Sequence, residues 1–118
     1  MNPTKEAKLR FLDDEAYRSL RSGELDVYHK LVANRPEVNF SNADLRGVDL
    51  RKVDAGKLVL RGSYLRDADL RGLDLRQLDL EGCSLFHAKV SGAYFPAEVL
   101  PEELRMSLDY GTRLRTGK

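Results

Sequence analysis

The sequence is poor in cysteine, which cross-links small proteins, and in aromatic residues, which fill their cores. It has one cysteine, Cys83, no tryptophan, and aromatic residues make up 8% of its 118 positions. A single cysteine excludes a framework of intrachain disulfides and fits a reducing compartment. With so few aromatics, the core of this single expected domain must be mostly aliphatic.

An excess of either charge is also missing. The 20 Lys and Arg residues nearly balance the 19 Asp and Glu residues, which leaves a net charge of +1. A nucleic-acid binder usually has a basic excess, and a protein that imitates nucleic acid needs an acidic one. No stretch approaches the roughly 20 apolar residues of a membrane span, and the first ten residues lack the apolar core of a secretory signal. We therefore expect a cytoplasmic protein with no membrane contact.

Residues suited to catalysis or metal binding are sparse. The two histidines, His29 and His87, do not combine with Cys83 at any spacing that suits a metal site or a nucleophile and its base. Cys83 is best interpreted as a small core residue, since free cysteines are commonly buried. We expect no enzymatic activity, no catalytic residue, no metal or other cofactor, and no small-molecule substrate.

What the sequence does contain is a strict period of five between residues 38 and 95. Twelve consecutive blocks of five each carry an apolar residue at the third place, here called the centre: Phe40, Leu45, Leu50, Ala55, Leu60, Leu65, Leu70, Leu75, Leu80, Leu85, Val90 and Phe95. A period of five fits neither the helical 3.6 nor the strand period of 2. It indicates a solenoid, and the equal spacing argues against leucine-rich repeats, whose unit is 20 or more residues.

The other places of the blocks predict the local geometry. The residue two before each centre is small or aliphatic, so two inward side chains flank one outward side chain, as in a short strand. The residue after the centre is mostly Arg, and the next is often Gly, which suits a sharp corner every five residues.

The sequence ADLRG at residues 43–47 and 68–72 matches the A(D/N)LXX consensus of the pentapeptide-repeat family, which residues 38–95 resemble. The resemblance implies a mainly β fold, a right-handed quadrilateral β-helix with four pentapeptides per coil and about three coils. Leu58, Leu73 and Leu78 depart from the consensus, because the family favours Ala two places before the centre.

Both ends of so short a solenoid need covers. Residues 1–37 are predicted as a helical N-terminal cap, with a first helix capped by Asp13 and stopped by Gly23, and a second helix from about residue 24 to 33. Residues 96–118 are predicted as a short helix starting at Pro101, followed by a flexible basic tail. The residues expected to cover the last coil are Val99, Leu100, Leu104 and Leu108.

The outward columns supply the candidate site. In a four-sided coil, residues twenty apart stack, so Asp before the centre and Arg after it form walls of exposed ion pairs, each contributing only about 0–1 kcal/mol. Apolar side chains interrupt these columns at Val59, Tyr64, Phe86 and Tyr94. We predict that they anchor a protein partner.

The predicted rim of this contact consists of Arg61, Arg66 and Asp69. A second interpretation is intramolecular: the tail, through Tyr110 and Leu114, folds back and covers the aromatics.

The function expected is therefore a non-catalytic protein-interaction module that presents one rigid wall to a protein partner or to a second copy of itself. The resemblance also implies an alternative, because some pentapeptide-repeat proteins imitate DNA and bind type II topoisomerases. Three coils and balanced charge argue against it, and direct nucleic-acid binding is disfavoured because each Arg has a carboxylate two residues away. A role as a secreted effector adaptor is neither supported nor excluded.

The substitution Leu70→Asp tests the inward assignment of the centres. A charge at the centre of the middle coil should abolish cooperative unfolding of the whole repeat, because burying an unpaired carboxylate is far more costly than the stability of a small domain. Urea unfolding followed by circular dichroism measures this. A transition close to that of the wild type would contradict the assignment.

Overall fold

The structure of the protein is a computed structural model that describes residues 14–117. Its elements are, in order, helix α1 (Glu15–Arg21), helix α2 (Leu25–Val32), strand β1 (Val38–Asn39), a 3-10 turn (Ala55–Lys57), strand β2 (Leu58–Val59) and helix α3 (Pro101–Tyr110). Among these residues no helix is both long enough and apolar enough to cross a membrane.

The N-terminal helices begin and end close to the predicted positions. Asp14 caps α1 by accepting a hydrogen bond from the Ala16 N–H at 2.9 Å. Asp14 has the extended backbone of an N-cap residue, with φ −140° and ψ 125°. The predicted cap was its neighbour Asp13, which lies outside the described residues. Gly23, at φ 79°, follows the end of α1 as predicted.

These two helices cover the first repeats through specific contacts. The Tyr17 hydroxyl donates a 2.6 Å hydrogen bond to the carbonyl oxygen of Asp44, and its ring meets Phe40 edge-on with centroids 5.9 Å apart. Lys57 donates from Nζ to the carbonyl oxygen of Val32 at 2.8 Å, where its charge complements the C-terminal end of α2. The cap is therefore joined to the repeat region by both apolar packing and hydrogen bonds.

The repeat region returns to itself every twenty residues. β1 pairs with β2 in parallel, Val38 with Leu58 and Asn39 with Val59, and single parallel bridges continue the same offset. We call each return a coil and name four columns of stacked outward residues: column A (Asn39, Val59), column B (Asp44, Tyr64, Ser84), column C (Asp49, Asp69, Lys89) and column D (Asp74, Tyr94).

The strand content is lower than the expected mainly β fold class. The described residues contain three helices, two strands of two residues each and a sheet of two strands that is not closed; most inter-coil pairs are isolated bridges. The reason is geometric: corners every five residues leave only about three extended residues on each side, and these accommodate one bridge. At Ala55 the chain bends into the 3-10 turn instead of pairing.

The centres form the core of the coils. Nine of them are exposed by 2% or less: Phe40, Leu45, Leu50, Leu60, Leu65, Leu70, Leu75, Leu80 and Leu85. Backbone hydrogen bonds run beside this apolar stack, as from the Leu45 N–H to the Tyr64 carbonyl oxygen at 2.9 Å. Side-chain burial and inter-coil hydrogen bonding therefore share the same residues.

The C-terminal tail was predicted to be flexible, but residues 113–114 are bonded to the last coil. After α3 ends at Tyr110 and is capped by Gly111, Arg113 pairs antiparallel with Ser84, and the Leu114 N–H donates to the Cys83 carbonyl oxygen at 2.8 Å. Leu114 is buried, because its side chain and backbone both complete the edge of the last coil in column B. Leu100, expected to cover that coil, points outward instead and is largely exposed.

Corner glycines allow a matched test of this geometry. Gly47 (φ 71°) and Gly82 (φ 77°) both occupy the left-handed region, where a side chain costs about 1–2 kcal/mol. A Cβ at Gly47 would meet nothing within 4 Å, whereas one at Gly82 would lie 3.3 Å from the backbone Cα of Gly62 in the coil before. We expect Gly82→Ala to lower the free energy of unfolding more than Gly47→Ala in urea titrations. Equal losses would contradict the stacking of these corners.

Candidate protein-interaction surface

The Asp-Leu-Arg segments close into one repeated arrangement. In Asp74–Arg76, Oδ1 of the aspartate accepts hydrogen bonds from the arginine backbone N–H at 3.1 Å and from Nε at 2.9 Å, while Oδ2 accepts from Nη2 at 2.9 Å. The same three contacts recur in the pairs Asp44–Arg46, Asp49–Arg51 and Asp69–Arg71. Each carboxylate therefore fixes its own corner and neutralises one guanidinium.

These Asp–Arg pairs hold their carboxylates in the charged form. Hydrogen bonds from Arg71 and Arg76 lower the pKa of Asp69 and of Asp74, each to about 2. Arg51 also reaches the next coil, where its Nε lies 3.2 Å from Oδ2 of Asp69. The negative charges of columns C and D are thus largely neutralised by arginines of the repeat itself.

Three arginines lie over aromatic rings of the following coil. The guanidinium carbon of Arg46 is 5.6 Å from the ring centroid of Tyr64, and that of Arg76 is 5.0 Å from the centroid of Tyr94. Each tyrosine pairs with the aspartate twenty residues before it, so the flat Asp–Arg pair covers the ring beneath. The outward tyrosines therefore contribute to the packing of one coil on the next.

The predicted anchors lie in different columns. Val59 belongs to column A, Tyr64 to column B and Tyr94 to column D, while the predicted rim residue Asp69 belongs to column C. Arg61 binds Asp79 through Nη1 at 2.7 Å. The predicted anchors Val59, Tyr64 and Tyr94 are thus spread over three columns.

Phe86 and Arg66 are brought together, but they are partly covered. The guanidinium carbon of Arg66 lies 5.0 Å from the Phe86 ring centroid. The His87 ring stacks on the Phe86 ring, with the two centroids 3.8 Å apart. Gly111 lies so close that a Cβ there would be 3.4 Å from Phe86. The start of the tail thus covers Phe86 through Gly111, while Tyr110 stays exposed and Leu114 packs into the coil.

The large apolar side chains that do reach solvent were mostly missed from the sequence. Among the described residues they are Val27 (39% exposed), Leu100 (54%), Met106 (43%) and Tyr110 (73%), together with the predicted Tyr94 (59%). A helical projection of α3 carries a detectable signal, because Met106 and Tyr110 lie four residues apart on one face while Ser107 lies on the buried face. No cluster of three or more His, Cys, Asp and Glu within residues 14–117 is arranged to hold a metal ion.

The Asp–Arg pairs predict a specific acid response. Because the folded-state pKa of Asp69 and Asp74 is near 2, below the usual value, their contribution to stability is present above about pH 4 and is lost as the pH falls toward 2. Thermal unfolding between pH 7 and pH 2 should show this loss. Asp74→Asn should lower the melting temperature at pH 7 and flatten its decline in acid. Glu37→Gln, an exposed control between α2 and β1, should change neither. An unchanged acid profile in Asp74→Asn would contradict the role of the pairs.

Comparison with known proteins agrees with this geometry. A family model described as pentapeptide repeats matches residues 36–62 and 63–96 with eight copies of the repeat. No curated protein and no solved structure matches the chain. The matched segments span just over half of the 118 residues and contain the coils described above. The chain therefore belongs to the pentapeptide-repeat family.

Proposed function

We propose that this protein is a non-catalytic interaction module that presents a rigid β-helix surface to a protein partner or to a second copy of itself. Pentapeptide-repeat proteins are generally non-catalytic interaction modules, which supports the class of function. The proposal includes a cytoplasmic location, which fits the single, buried and unpaired Cys83.

The proposed scaffold is a right-handed quadrilateral β-helix of about three coils. The twenty-residue offset in all four columns supports four pentapeptides per coil. The handedness is taken from the family. Such a scaffold is preorganised, because the columns are joined by backbone hydrogen bonds and by ion pairs such as Arg51–Asp69. Binding then costs little conformational entropy on this side of the interface.

The observation that carries the proposal is where the exposed apolar side chains lie. Tyr94 lies in the last coil, Leu100 precedes α3, and Met106 and Tyr110 lie on α3, so four of the five are at the C-terminal end. Exposed aromatic and Met side chains on an ordered surface are typical of protein interfaces. Tyr94 is therefore the predicted anchor that is most accessible to a partner.

The alternative, a DNA-mimicking protein that binds topoisomerases, has less support. Mimicry of a duplex needs rows of uncompensated negative charge. Here four aspartates of columns B, C and D are each bound by an arginine, and the net charge of the whole chain is +1. The paired columns favour a protein-binding end over an acidic wall.

The test compares Tyr94→Ser/Tyr110→Ser with the wild type. Loss of two exposed aromatics should weaken binding at least tenfold, since aromatic anchors commonly contribute about 1–2 kcal/mol or more each. Affinity capture from native lysate detects a partner, and light scattering detects a second copy. Val27→Ser, which removes an exposed apolar side chain from α2, is the matched control and should bind normally.

Two results would contradict the proposed function. One is a wild-type protein that remains monomeric and captures nothing above the background of an unrelated bait. The other is an equal loss of binding in Val27→Ser and in the double variant, because the C-terminal end would then have no special role. Unchanged circular dichroism and melting temperature establish that each variant is folded.

A further inference from the structure

The last coil is incompletely covered. Among the apolar residues that pack only partly buried against the core, five belong to the last coil and α3: Ala88, Val90, Phe95, Leu104 and Leu108. The residues one coil before Ala88 and Val90 are buried: Ala68 is 0% exposed and Leu70 is 1% exposed. Apolar side chains at the end of column C and on α3 are therefore only partly covered.

The backbone at the end of column C also lacks hydrogen-bond partners among the described residues. In column C, the Leu70 N–H donates to the Lys89 carbonyl oxygen at 2.8 Å, and the Ala68 carbonyl oxygen accepts from the Lys89 N–H at 2.9 Å. The corresponding groups of the last coil are the Val90 N–H and the Ala88 carbonyl oxygen. Within residues 14–117 neither has a hydrogen-bond partner. Residues 88–90 thus form an open strand edge.

The neighbouring column shows how this chain completes such an edge. In column B, the Cys83 carbonyl oxygen accepts from the Leu114 N–H, and the Leu85 N–H donates to Oγ of Ser107 at 2.8 Å. Leu114 fills the inward place and Arg113 takes the outward place opposite Ser84. A short extended segment with alternating apolar and polar side chains is therefore the natural complement of this end of the coil.

The tail does not extend this cover to column C. Beyond Leu114 it runs the other way, where the backbone N–H and the hydroxyl of Thr116 both donate to Oε1 of Glu81. Residues 111–116 are thus already committed to column B and to the corner at Glu81. No residue within 14–117 completes the edge at residues 88–90, which is therefore open to a segment of another chain.

The charge at the edge selects the outward side chain of such a segment. Lys89 is exposed at the end of column C and has no ion pair among the described residues. Asp69, stacked against it, is already bound by Arg71 at 2.7 Å and by Arg51 at 3.2 Å. An acidic side chain placed over Lys89 would pair with its charge, whereas a basic one would be repelled.

We propose that residues 88–90 bind an extended segment of a partner protein by strand addition. Its pattern is apolar, acidic, apolar: the apolar side chains cover Val90 and the partly buried face of α3, the acid pairs with Lys89, and the backbone engages the Val90 N–H and the Ala88 carbonyl oxygen. This inference rests on the proposed function and deepens it by giving the chemistry of the partner.

The experiment uses the full chain and a synthetic peptide of sequence Thr-Ala-Asp-Leu-Thr with blocked termini. Amide hydrogen exchange by NMR is the readout. In the free protein the Val90 amide should exchange rapidly while the Leu70 amide is protected. The peptide should slow exchange at Val90 at least tenfold. A peptide with Lys in place of Asp, and one N-methylated at Asp and Leu, should not.

Two charge reversals provide the matched comparison. Lys89→Glu should weaken peptide binding at least tenfold, because it opposes the acid of the peptide. Lys52→Glu reverses an exposed charge at a corner of the first coil and should leave the affinity unchanged. Both variants should retain the dispersed amide spectrum of the wild type.

Exchange at Val90 that stays rapid at millimolar peptide would overturn the proposal, and so would equal effects of Lys89→Glu and Lys52→Glu. Protection of Val90 that grows with protein concentration in the absence of peptide would assign the edge to a second copy and would also overturn it. None of these results bears on the aromatic double variant, so the broader interaction function would stand or fall separately.

Discussion

The inter-coil backbone hydrogen bond is the interaction on which the rest of this structure depends. The N–H of a centre residue reaches the carbonyl oxygen nineteen positions later, as between Leu45 and Tyr64. That offset requires a corner every five residues, and several corners use the left-handed region at glycines such as Gly62 and Gly82. Once the offset is established, centres stack on centres and outward residues stack in columns.

The columns explain why so many charges leave so little net field. Each Asp–Arg pair satisfies its own corner, and arginines such as Arg46 and Arg76 lie over a tyrosine of the next coil. The charged side chains therefore act mainly within the scaffold, where they orient turns and cover rings. Under the proposed function, recognition falls to the positions at which this pattern stops.

The pattern stops at two ends, and the two ends differ. At the N-terminal end, α1 and α2 bury Phe40 and bond to the first coil through Tyr17 and Lys57. At the C-terminal end, α3 and the tail complete column B but leave Val90 partly exposed. This asymmetry separates a closed end, which stabilises the coils, from an open end with accessible backbone and apolar side chains.

The sequence by itself determined the five-residue period, the inward centres, the second helix and the start of α3 at Pro101, because each depends on chemistry repeated or capped within a few residues. Only the tertiary structure decided that Leu114 docks in the last coil, that Gly111 lies against Phe86, and that the edge at residues 88–90 has no partner among the described residues. Those outcomes depend on pairings between residues twenty or more positions apart and on the path of α3, to which local patterns are blind.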